Sequence, residues 1–512
     1  MQQKHLFEVV PSHRLAQLSK EQLIEFFEAQ QDVIEPFQRK IKQLEAEASK
    51  LKQTILFIDD KYIVLKNKFF GKSSEKEPVQ NDDGEKPDSS SKKTRIQLPS
   101  LRYPNAPLIE TEIEFKDLPN CDCCGTQMSD SGMTEDAEFL TVVPKQYFVV
   151  RQKRHKYRCG HCHGDIKTAP APKRITPSSS TSDEMVIDVA LAKYCDLVPI
   201  QRYSAIAGRQ GLKDLPPQSL IESTHHLAHF VSGAYHKLKE EVLNSKVLHA
   251  DETPHRMLEG DDKTHWYLWG FSNSIASIFD IRDTRSGDVA SQLLANSNCT
   301  HLVSDVFSGY AKAVRDANEV RKEKNLPLIY NVYCNAHARR KFKEAKDSFT
   351  NEAQYFVDQY KEIYRLEGEA REKPPDDIPK YLLQSRSQMS PFFKAMKLRA
   401  LANIKAYSSK SRIAKAMSYF LKNYEELTLF VKDTELPIDN NPQERLLRNP
   451  VIGRKTWYGT HSKRGAETAA VLFSLVESCK LNKVSPRDYF QKLIQDLHNG
   501  LKPYTPNQYK NS

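Results

Sequence analysis

Hydrophobic residues near the N-terminus recur at alternating spacings of three and four. A sustained heptad pattern of this kind buries one stripe of a helix against a partner helix. We therefore predict a leucine-zipper-like coiled coil within residues 1–70, formed as an intramolecular hairpin or as a parallel dimer. Pro36 interrupts the stripe and is expected in the first turn of the longer helix. The stripe consists of Phe27, Ile34, Phe37, Ile41, Leu44, Ala48, Leu51, Ile55, Ile58, Tyr62, Leu65 and Phe69.

Three further regions precede the centre of the chain. Residues 71–100 are rich in Gly, Pro, Ser, Asp and Lys, which is typical of a flexible linker. Segments 108–115 and 137–157 carry alternating or β-branched residues and predict strands of a small β module over 101–176. Helical periodicity over 177–245, broken at prolines and a glycine, predicts a bundle of three helices that binds DNA or links domains.

The next stretch alternates between strand-like and helical patterns. Helices are predicted between the third and fourth strands and between the fourth and fifth. This is the strand and helix order of a ribonuclease-H core, which we assign to residues 246–455. An all-helical insertion is predicted at about 343–432, and a helical region at 456–512, so that the chain is a multidomain α/β protein. The five predicted strands are Val247–Ala250, Trp266–Phe271, Ile275–Ile281, His301–Val306 and Leu328–Cys334.

Composition restricts the setting in which the protein acts. Its 512 residues are enough for several domains, and 76 Lys and Arg exceed 66 Asp and Glu. That surplus is compatible with a polyanionic partner but does not require one. The N-terminus lacks the apolar run of a signal peptide, and no run of about 18 apolar residues occurs. We therefore expect a soluble cytoplasmic protein without a membrane partner.

Four of the nine cysteines form two closely spaced pairs. Cys121 and Cys124, with Cys159 and Cys162, can surround one structural Zn²⁺ tetrahedrally, and a glycine beside each pair permits the tight turn. The competing ligands Cys123, His161 and His163 leave the set open. Cys195, Cys299, Cys334 and Cys479 have no such partners and are expected to be ordinary buried thiols.

A basic segment leads into the second cysteine pair. Residues 145–158 contain six Lys or Arg and no acidic residue, interleaved with Tyr147, Phe148 and Tyr157. Cations beside aromatic rings suit phosphate contact and base stacking. The alternative is a solvated basic edge strand that resists aggregation. The predicted DNA contacts here are Arg151, Lys153, Arg154, Lys156 and Arg158.

Three acidic residues are candidates for catalysis. Asp251 and Asp305 end the first and fourth predicted strands, which lie side by side in a sheet of this order and can share a cation. Glu444 is expected in the first turn of a helix that Asp439 or Asn440 caps. Taken singly, the aspartates fit turn formation and the glutamate fits the helix dipole equally well.

The ligand types indicate which metal these acids hold. Three carboxylates without cysteine or histidine select Mg²⁺ or Mn²⁺ rather than zinc. Two such ions support in-line phosphoryl transfer, so that the same three acids are predicted both as metal ligands and as catalytic residues. Water as the attacking group cleaves a DNA strand, and a DNA 3′-hydroxyl joins one.

Basic residues flank the predicted acidic site. One group follows the fifth strand and another follows Glu444 in sequence, and both are predicted to contact DNA near the scissile phosphate. The alternative for the first group is a solvated helix start. The residues are Arg339, Arg340, Arg448, Arg454 and Lys455.

At these residues the chain resembles the insertion sequence 66 family of bacterial transposases, which belong to the DDE class. Together the matching stretches extend over nearly the whole chain. They are Phe69-Phe-Gly-Lys-Ser-Ser-Glu-Lys76, the two cysteine pairs, Lys193-Tyr194 with Pro199, His249-Ala-Asp-Glu-Thr-Pro254, Ser304-Asp-Val-Phe-Ser-Gly-Tyr310, His337-Ala-Arg-Arg-Lys-Phe342, Asp439-Asn-Asn-Pro-Gln-Glu-Arg445 and Gly453-Arg-Lys455.

The resemblance implies a leucine-zipper-like N-terminus, a zinc module and an acidic triad at Asp251, Asp305 and Glu444. It also implies double-stranded element ends and target DNA as partners, accessory proteins of the same element, and action at the bacterial nucleoid. We expect a homodimer or higher oligomer, because DNA ends must be paired. Two departures are the sequence after Ser219, where an aromatic is expected, and the extra Cys123. A DNA-binding regulator and a domesticated nuclease of the same fold remain alternatives.

Overall fold

The computed structural model describes residues 19–70 and 98–511, apart from 131, 144, 162, 163, 165, 178 and 260–263. The predicted linker over 71–100 lies outside the described residues except for its last three positions, and so does the beginning of the predicted zipper region. Cys162 and His163, two of the candidate zinc ligands, are also outside the described residues.

The N-terminal stripe lies on one continuous helix, α1 (Lys20–Phe70). The hairpin alternative is therefore wrong within this span, and so is the position predicted for Pro36, which lies inside the helix. A proline removes one backbone hydrogen bond, and the strong helix formers that follow it allow the helix to continue. Most of the stripe is exposed in the single chain, with Leu51 67% and Ile58 59% accessible.

The β module contains much less sheet than predicted. Beyond the short helix α2 (Pro99–Arg102), the described part of 101–176 forms only β1 (Lys156–Arg158) and β2 (Ile166–Thr168), an antiparallel pair. The strands predicted at 108–115 and in most of 137–157 are therefore wrong. Most of their apolar residues are exposed, with Ile113 95% and Val149 91% accessible. An alternating pattern forms a stable strand only beside a partner strand and a core. The described residues of these segments have no partner strand, and among their aromatic residues Tyr147 alone packs against a core.

The following region has four helices, one more than predicted. They are α3 (Asp183–Tyr194), α4 (Ile200–Arg209), α5 (Pro217–Phe230) and α6 (Ser232–Leu243). The additional break is at Val231, whose φ of −94° and ψ of 9° leave the helical range. Val231 itself is buried and is not a helix-breaking residue, and the nearest glycine, Gly233, lies two residues further on, inside α6.

A five-stranded mixed sheet forms the centre of the molecule and confirms the five predicted strands, with ends shifted by a few residues. Its order is β5-β4-β3-β6-β7. Strand β4 pairs antiparallel with β3 and with β5, whereas β6 pairs parallel with β3 and with β7. The elements are β3 (Val247–Arg256), β4 (His265–Ser272), β5 (Ser277–Arg282), α7 (Asp288–Leu294), β6 (His301–Ser304), α8 (Ser308–Glu323) and β7 (Tyr330–Tyr333).

The described chain from residue 335 to its end is helical. The residues predicted as an all-helical insertion form helices and no strand, and the core that they build includes Val303 and Val332 of the sheet. The predicted C-terminal helices are also present. Helix α15 contributes Leu472 and Leu475 to a second core, which contains residues of β3, β4, β5 and β6. The helices are α9 (Asn335–Ala345), α10 (Thr350–Arg371), α11 (Ile378–Asn403), α12 (Arg412–Lys422), α13 (Tyr424–Thr428), α14 (Asn441–Trp457), α15 (Lys463–Leu481), α16 (Pro486–His498) and α17 (Pro506–Lys510).

Short 3₁₀ segments connect the insertion helices at Pro375–Asp377, Ile404–Ala406 and Leu429–Val431. Helix α1 contacts this insertion through Leu56 and through the buried carboxylate of Asp60. Asp60 accepts hydrogen bonds from Ser348 and Arg412. Among the described helices, none combines the length and the hydrophobicity needed to cross a lipid bilayer.

Candidate active site

Two of the predicted catalytic acids lie where the parallel pairing of two neighbouring strands ends. Asp305 directly follows β6, whereas Asp251 lies in the middle of β3 and not at its end as predicted, because β3 continues to Arg256 in its pairing with β4. In the pairing of β3 with β6, Val247 is opposite His301 and His249 is opposite Val303. The same register brings Asp251 level with Asp305, which directly follows β6. The parallel pairing therefore brings the two carboxylates to the same edge of the sheet, as predicted from the strand order.

Glu444 reaches this edge from the first turn of α14, as expected from its sequence. Asn440, the residue at the N-cap position, makes no side-chain capping bond. It reaches β3 instead: its Oδ1 lies 2.9 Å from Nδ1 of His249, and its Nδ2 donates to the carbonyl oxygen of Ala250 at 2.9 Å. Asn440 therefore fixes the start of α14 to the strand that carries Asp251.

Gln443 attaches the same helix to β4. Its Oε1 accepts a hydrogen bond from the hydroxyl of Ser272 at 2.5 Å. The side chain passes over Gly270, which is paired with Asp251. A Cβ atom at Gly270 would lie 2.2 Å from Nε2 of Gln443. A side chain at position 270 would therefore displace the Gln443 amide from its place over β4.

Negative charge accumulates at this edge. Burial, and then the charges of Glu252, Asp305 and Glu444, raise the pKa of Asp251 to about 8. Each of those three neighbours contributes in the same direction, which places all of them close enough to interact with Asp251 electrostatically. A buried group of carboxylates is stable in the ionised form only beside a cation, because like charges in a low-dielectric site repel strongly.

Sequence reasoning missed a fourth acid and its partners. Burial raises the pKa of Glu252, while hydrogen bonds from Tyr310 and Arg285 oppose that effect. Tyr310 donates to Oε2 of Glu252 at 2.5 Å, and Arg285 donates to Oε1 at 2.6 Å. Glu252 is adjacent to Asp251 in sequence, which is a usable signal. The approach of Arg285 has no local signal, because it depends on the loop after β5.

Asp251, Glu252 and Glu444 line one cleft of about 290 Å³ together with Thr253, His337, Leu447, Arg448 and Val451. Oε1 of Glu444 and Nδ1 of His337 are buried, and neither has a hydrogen-bond partner in the described structure. The two atoms are 3.7 Å apart. Open acidic oxygens within such a cleft are suitable ligands for a hard divalent cation.

The basic residues predicted beside the acids are only partly gathered there. Arg448 lines the cleft, and Nη1 of Arg454 lies 3.4 Å from Oγ1 of Thr253 on β3. Arg339 and Arg340 lie half-buried on α9, where the guanidinium of Arg339 is 5.4 Å from the ring centre of Tyr364. Lys455 is exposed at the far end of α14.

The first cysteine pair forms a tight turn. Cys121 donates its backbone N–H to Thr126, and Gly125 donates to Cys121 with a φ of 72° that favours glycine. Hydrogen bonding with Thr126, and then with Cys121, lowers the pKa of Cys124. Cys159 and His161 of the second pair are exposed. The four-cysteine set cannot be completed here, since Cys162 lies outside the described residues.

The basic segment before β1 presents its cations to solvent. Arg151, Lys153, Lys156 and Arg158 are exposed, as is Arg154, whose Nε donates to the carbonyl oxygen of Ala169. The aromatic residues differ from one another. Phe148 is 79% and Tyr157 67% accessible, whereas Tyr147 packs against the core of α3 to α5. Two of the three predicted stacking rings are therefore free to contact a ligand.

Family models match two parts of the chain, the region that contains the acidic cleft and the region that contains the cysteine pairs. The model of the transposase IS66 family matches residues 178–468, and that of the zinc-finger binding domain of transposase IS66 matches 119–163. Two uncharacterized proteins of Sinorhizobium fredii (strain NBRC 101917 / NGR234) are similar. The protein y4hP is 25% identical over an alignment that covers 73% of this chain and 70% of y4hP. The protein y4jD is 27% identical over an alignment that covers 74% of this chain and 75% of y4jD.

Proposed function

The chain belongs to the IS66 family of transposases, and from this premise we propose that it cleaves DNA at the ends of an insertion element and joins those ends to target DNA by two-metal phosphoryl transfer. The observation that carries the mechanism is the burial of Asp251 among Glu252, Asp305 and Glu444, which raises its pKa to about 8. A site that concentrates acidic charge in this way requires cations to function at neutral pH.

The donor set fits Mg²⁺ or Mn²⁺. Asp251, Asp305 and Glu444 would hold the ions, and Oε1 of Glu444 is a buried oxygen that no described group satisfies. Hard divalent ions prefer carboxylate oxygens. When bound, they lower the pKa of the attacking hydroxyl or water and stabilise charge on the leaving oxygen. This sheet order and the helical insertion together support a ribonuclease-H-like catalytic core over 246–455.

The protein's own residues orient the substrate. Arg448 lines the cleft and Arg454 lies beside Thr253, so both can pair with phosphates next to the scissile bond. Arg339 and Arg340 of α9, and Lys455 of α14, extend this positive surface. The ion pair of Arg285 with Glu252 neutralises one acid and leaves three to bind cations. Asn440 and Gln443 hold Glu444 in reach of the aspartates.

A second DNA contact is proposed for the zinc-finger domain, which contains structural zinc by family membership. Cys121, Cys124, Cys159 and Cys162 are its proposed ligands, with Cys123, His161 and His163 as competing donors. The exposed cations Arg151, Lys153, Arg154, Lys156 and Arg158 are suited to bind phosphates. Phe148 and Tyr157 supply exposed rings beside them.

The remaining proposals concern assembly. The exposed stripe of α1 supports a homodimer or higher oligomer that pairs two DNA ends through a coiled coil. Residues 1–70, 101–176, 177–245 and 246–455 are proposed as zipper, zinc, helical and catalytic regions, joined by the linker at 71–100 and followed by helices at 456–512. Accessory proteins of the same element and the DNA of the bacterial nucleoid are the proposed partners.

The mechanism is tested by the variants Asp251→Asn, Asp305→Asn and Glu444→Gln. These near-isosteric changes remove charges that balance the ions, so strand cleavage and strand transfer on the element's own ends should fall by a factor of about 10³ or more. DNA binding in a gel-shift assay should persist, because it depends mainly on phosphate contacts elsewhere. The assay is run in Mg²⁺ and in Mn²⁺.

Glu435→Gln is the matched control, since Glu435 is an exposed acid ahead of α14, and it should retain full activity. Full activity of the Asp251 or Asp305 variant would refute the two-metal mechanism. Full activity of the Glu444 variant alone would transfer the third ligand position to another acid, with Asp439 as the nearest alternative in sequence.

A further inference from the structure

His337 and Glu444 occupy the first turns of two helices that meet at the same cleft. Helix α9 begins at Asn335, two residues after β7, and α14 begins at Asn441. Nδ1 of His337 lies 3.7 Å from Oε1 of Glu444, and each side chain is 26% accessible. Both atoms are buried without a hydrogen-bond partner among the described residues. A buried polar atom without a partner is destabilising, so a partner shared by both atoms is favoured.

The separation indicates what kind of partner fits. A distance of 3.7 Å is too long for a direct hydrogen bond. Two ligand atoms bound to one metal ion at 2.0–2.2 Å lie about 3 to 3.5 Å apart, which a small side-chain movement reaches. The two atoms are therefore spaced as neighbouring ligands of one ion rather than as a hydrogen-bonded pair.

Cys334 is the third potential donor at this position, because its Sγ lies within 4.8 Å of a ring nitrogen of His337 and of a carboxylate oxygen of Glu444. Its thiol is fully buried and accepts the backbone N–H of Asn440 at 3.2 Å. That bond holds the sulfur against the start of α14. The donors free to bind an ion are thus one imidazole nitrogen and one carboxylate oxygen.

We propose that His337 is a ligand of the ion that Glu444 holds, and that it makes this position select Mn²⁺ over Mg²⁺. The inference rests on the proposed two-metal function and adds a residue and a metal preference to it. Mg²⁺ takes oxygen ligands almost exclusively, whereas an imidazole nitrogen binds the later divalent ions more strongly. A mixed nitrogen and oxygen set therefore favours Mn²⁺, and an all-oxygen set does not.

The test uses the full-length, zinc-loaded protein titrated with Mn²⁺ alone and with Mg²⁺ alone. Electron paramagnetic resonance reports Mn²⁺ binding, and electron spin-echo modulation from ¹⁴N reports a nitrogen ligand. The wild type should show nitrogen coupling. In His337→Ala the coupling should disappear and Mn²⁺ affinity should fall about tenfold, while Mg²⁺ affinity stays within about twofold. His337→Asn, which offers an oxygen in place of nitrogen, should reduce the Mn²⁺ preference in the same way.

His301→Ala is the matched control, because His301 lies at the opposite end of β6 from Asp305 and should leave the spectra unchanged. Nitrogen coupling that survives in His337→Ala overturns the ligand assignment. An equal loss of Mn²⁺ and Mg²⁺ also overturns it, since that pattern reflects a damaged cleft. If Asp251→Asn weakens both ions and the wild type lacks nitrogen coupling, the two-metal proposal stands and only the His337 assignment fails. If the wild type binds neither ion, both fail.

Discussion

At the scale of single residues, His255 shows how burial on β3 sets a pH dependence. Its ring is 7% accessible, and Nε2 lies 3.1 Å from Oγ1 of Thr460. Burial, and then the charge of Arg454, lower the pKa of His255 to about 4. The unfolded chain has an ordinary histidine pKa of about 6.5. The unfolded state thus binds a proton in a pH range where the folded state does not.

We predict that this histidine destabilises the fold in mild acid. Between pH 6.5 and 4 the unfolded state is favoured increasingly, so the free energy of unfolding should decrease by up to about 3 kcal/mol as the pH falls. Above pH 6.5 both states are neutral and the effect is absent. His255→Gln should flatten this slope in urea unfolding measured at several pH values. His229→Gln, at an exposed position of α5, is the control for the substitution itself.

Gly270 gives a second prediction for a single residue. In Gly270→Ala the new Cβ would lie 2.2 Å from Nε2 of Gln443, so the Gln443 side chain must move. We expect its hydrogen bond with Ser272 to be lost and α14, which carries Glu444, to shift with it. Misplacement of a catalytic group by about 1 Å costs roughly 100-fold in rate, so DNA strand cleavage should fall by about that factor. Gly368→Ala is the control, because an added Cβ there would have no described atom within 4 Å apart from the neighbouring backbone of its own helix. Wild-type cleavage by Gly270→Ala would show that Gln443 does not position Glu444.

At the scale of elements, helix α1 is fixed to the insertion by one buried acid. Asp60 is 3% accessible, and its carboxylate accepts hydrogen bonds from Ser348 Oγ, Arg412 Nε and the Arg412 backbone. A buried ion pair that loses one partner leaves the other charge uncompensated, at a cost of about 3–5 kcal/mol. Much of the attachment of α1 therefore depends on this residue.

We predict that Asp60→Ala releases α1 while the sheet stays folded. Hydrogen exchange followed by mass spectrometry should show faster exchange across the second half of α1, because a lone helix in water frays. Asp59→Ala is a closely matched control, since the neighbouring carboxylate is exposed and its loss should change little. Equal exchange in both variants would mean that Leu56 and its apolar neighbours suffice to hold the helix.

Some elements could be predicted from the sequence and others could not. The difference is whether the element is determined by its own local pattern of residues or by contacts with distant parts of the fold. The strands β3 and β6 were predictable because a buried strand needs a run of apolar residues, and Asp251 and Asp305 mark the ends of those runs. The break at Val231 was not predicted, because an apolar residue at that position carries no helix-ending signal in the sequence. The exposed segments 108–115 and 137–155 carry strand-like side chains without a partner strand.

The residues of the candidate site also differ in whether the sequence could predict them. Strand order was sufficient to bring Asp251 beside Asp305. Glu444 was located by resemblance to a motif, because nothing in its local pattern distinguishes a ligand from a helix-capping acid. The ion pair of Glu252 with Arg285 joins residues from separate strands and loops. Such long-range side-chain contacts depend on the assembled fold, and a single sequence does not contain them.

At the scale of the whole molecule, the exposed stripe of α1 predicts self-association. Ile41 is 56% and Leu44 50% accessible, and both lie well before the part of α1 that contacts the insertion. Replacing both with Glu should convert a dimer to a monomer in light scattering of the full chain, because the seam must bury apolar residues. The control is Lys42→Glu with Glu45→Lys, two exposed positions that each directly follow one of the replaced residues. A wild-type monomer at micromolar concentration would refute the dimer.

The attachment of α14 to β3 also determines when the cleft can form during synthesis. His249 and Asn440 contact each other across 191 residues of chain, and the whole helical insertion lies within that span. Contacts between such distant residues close large loops and form late in folding. A ribosome-bound chain that already contains Asp251 and Asp305 therefore lacks Glu444 until the insertion has emerged and α14 has docked. Fragments that end before Asn440 are expected to be inert towards DNA strands, so incomplete synthesis does not release an active nuclease.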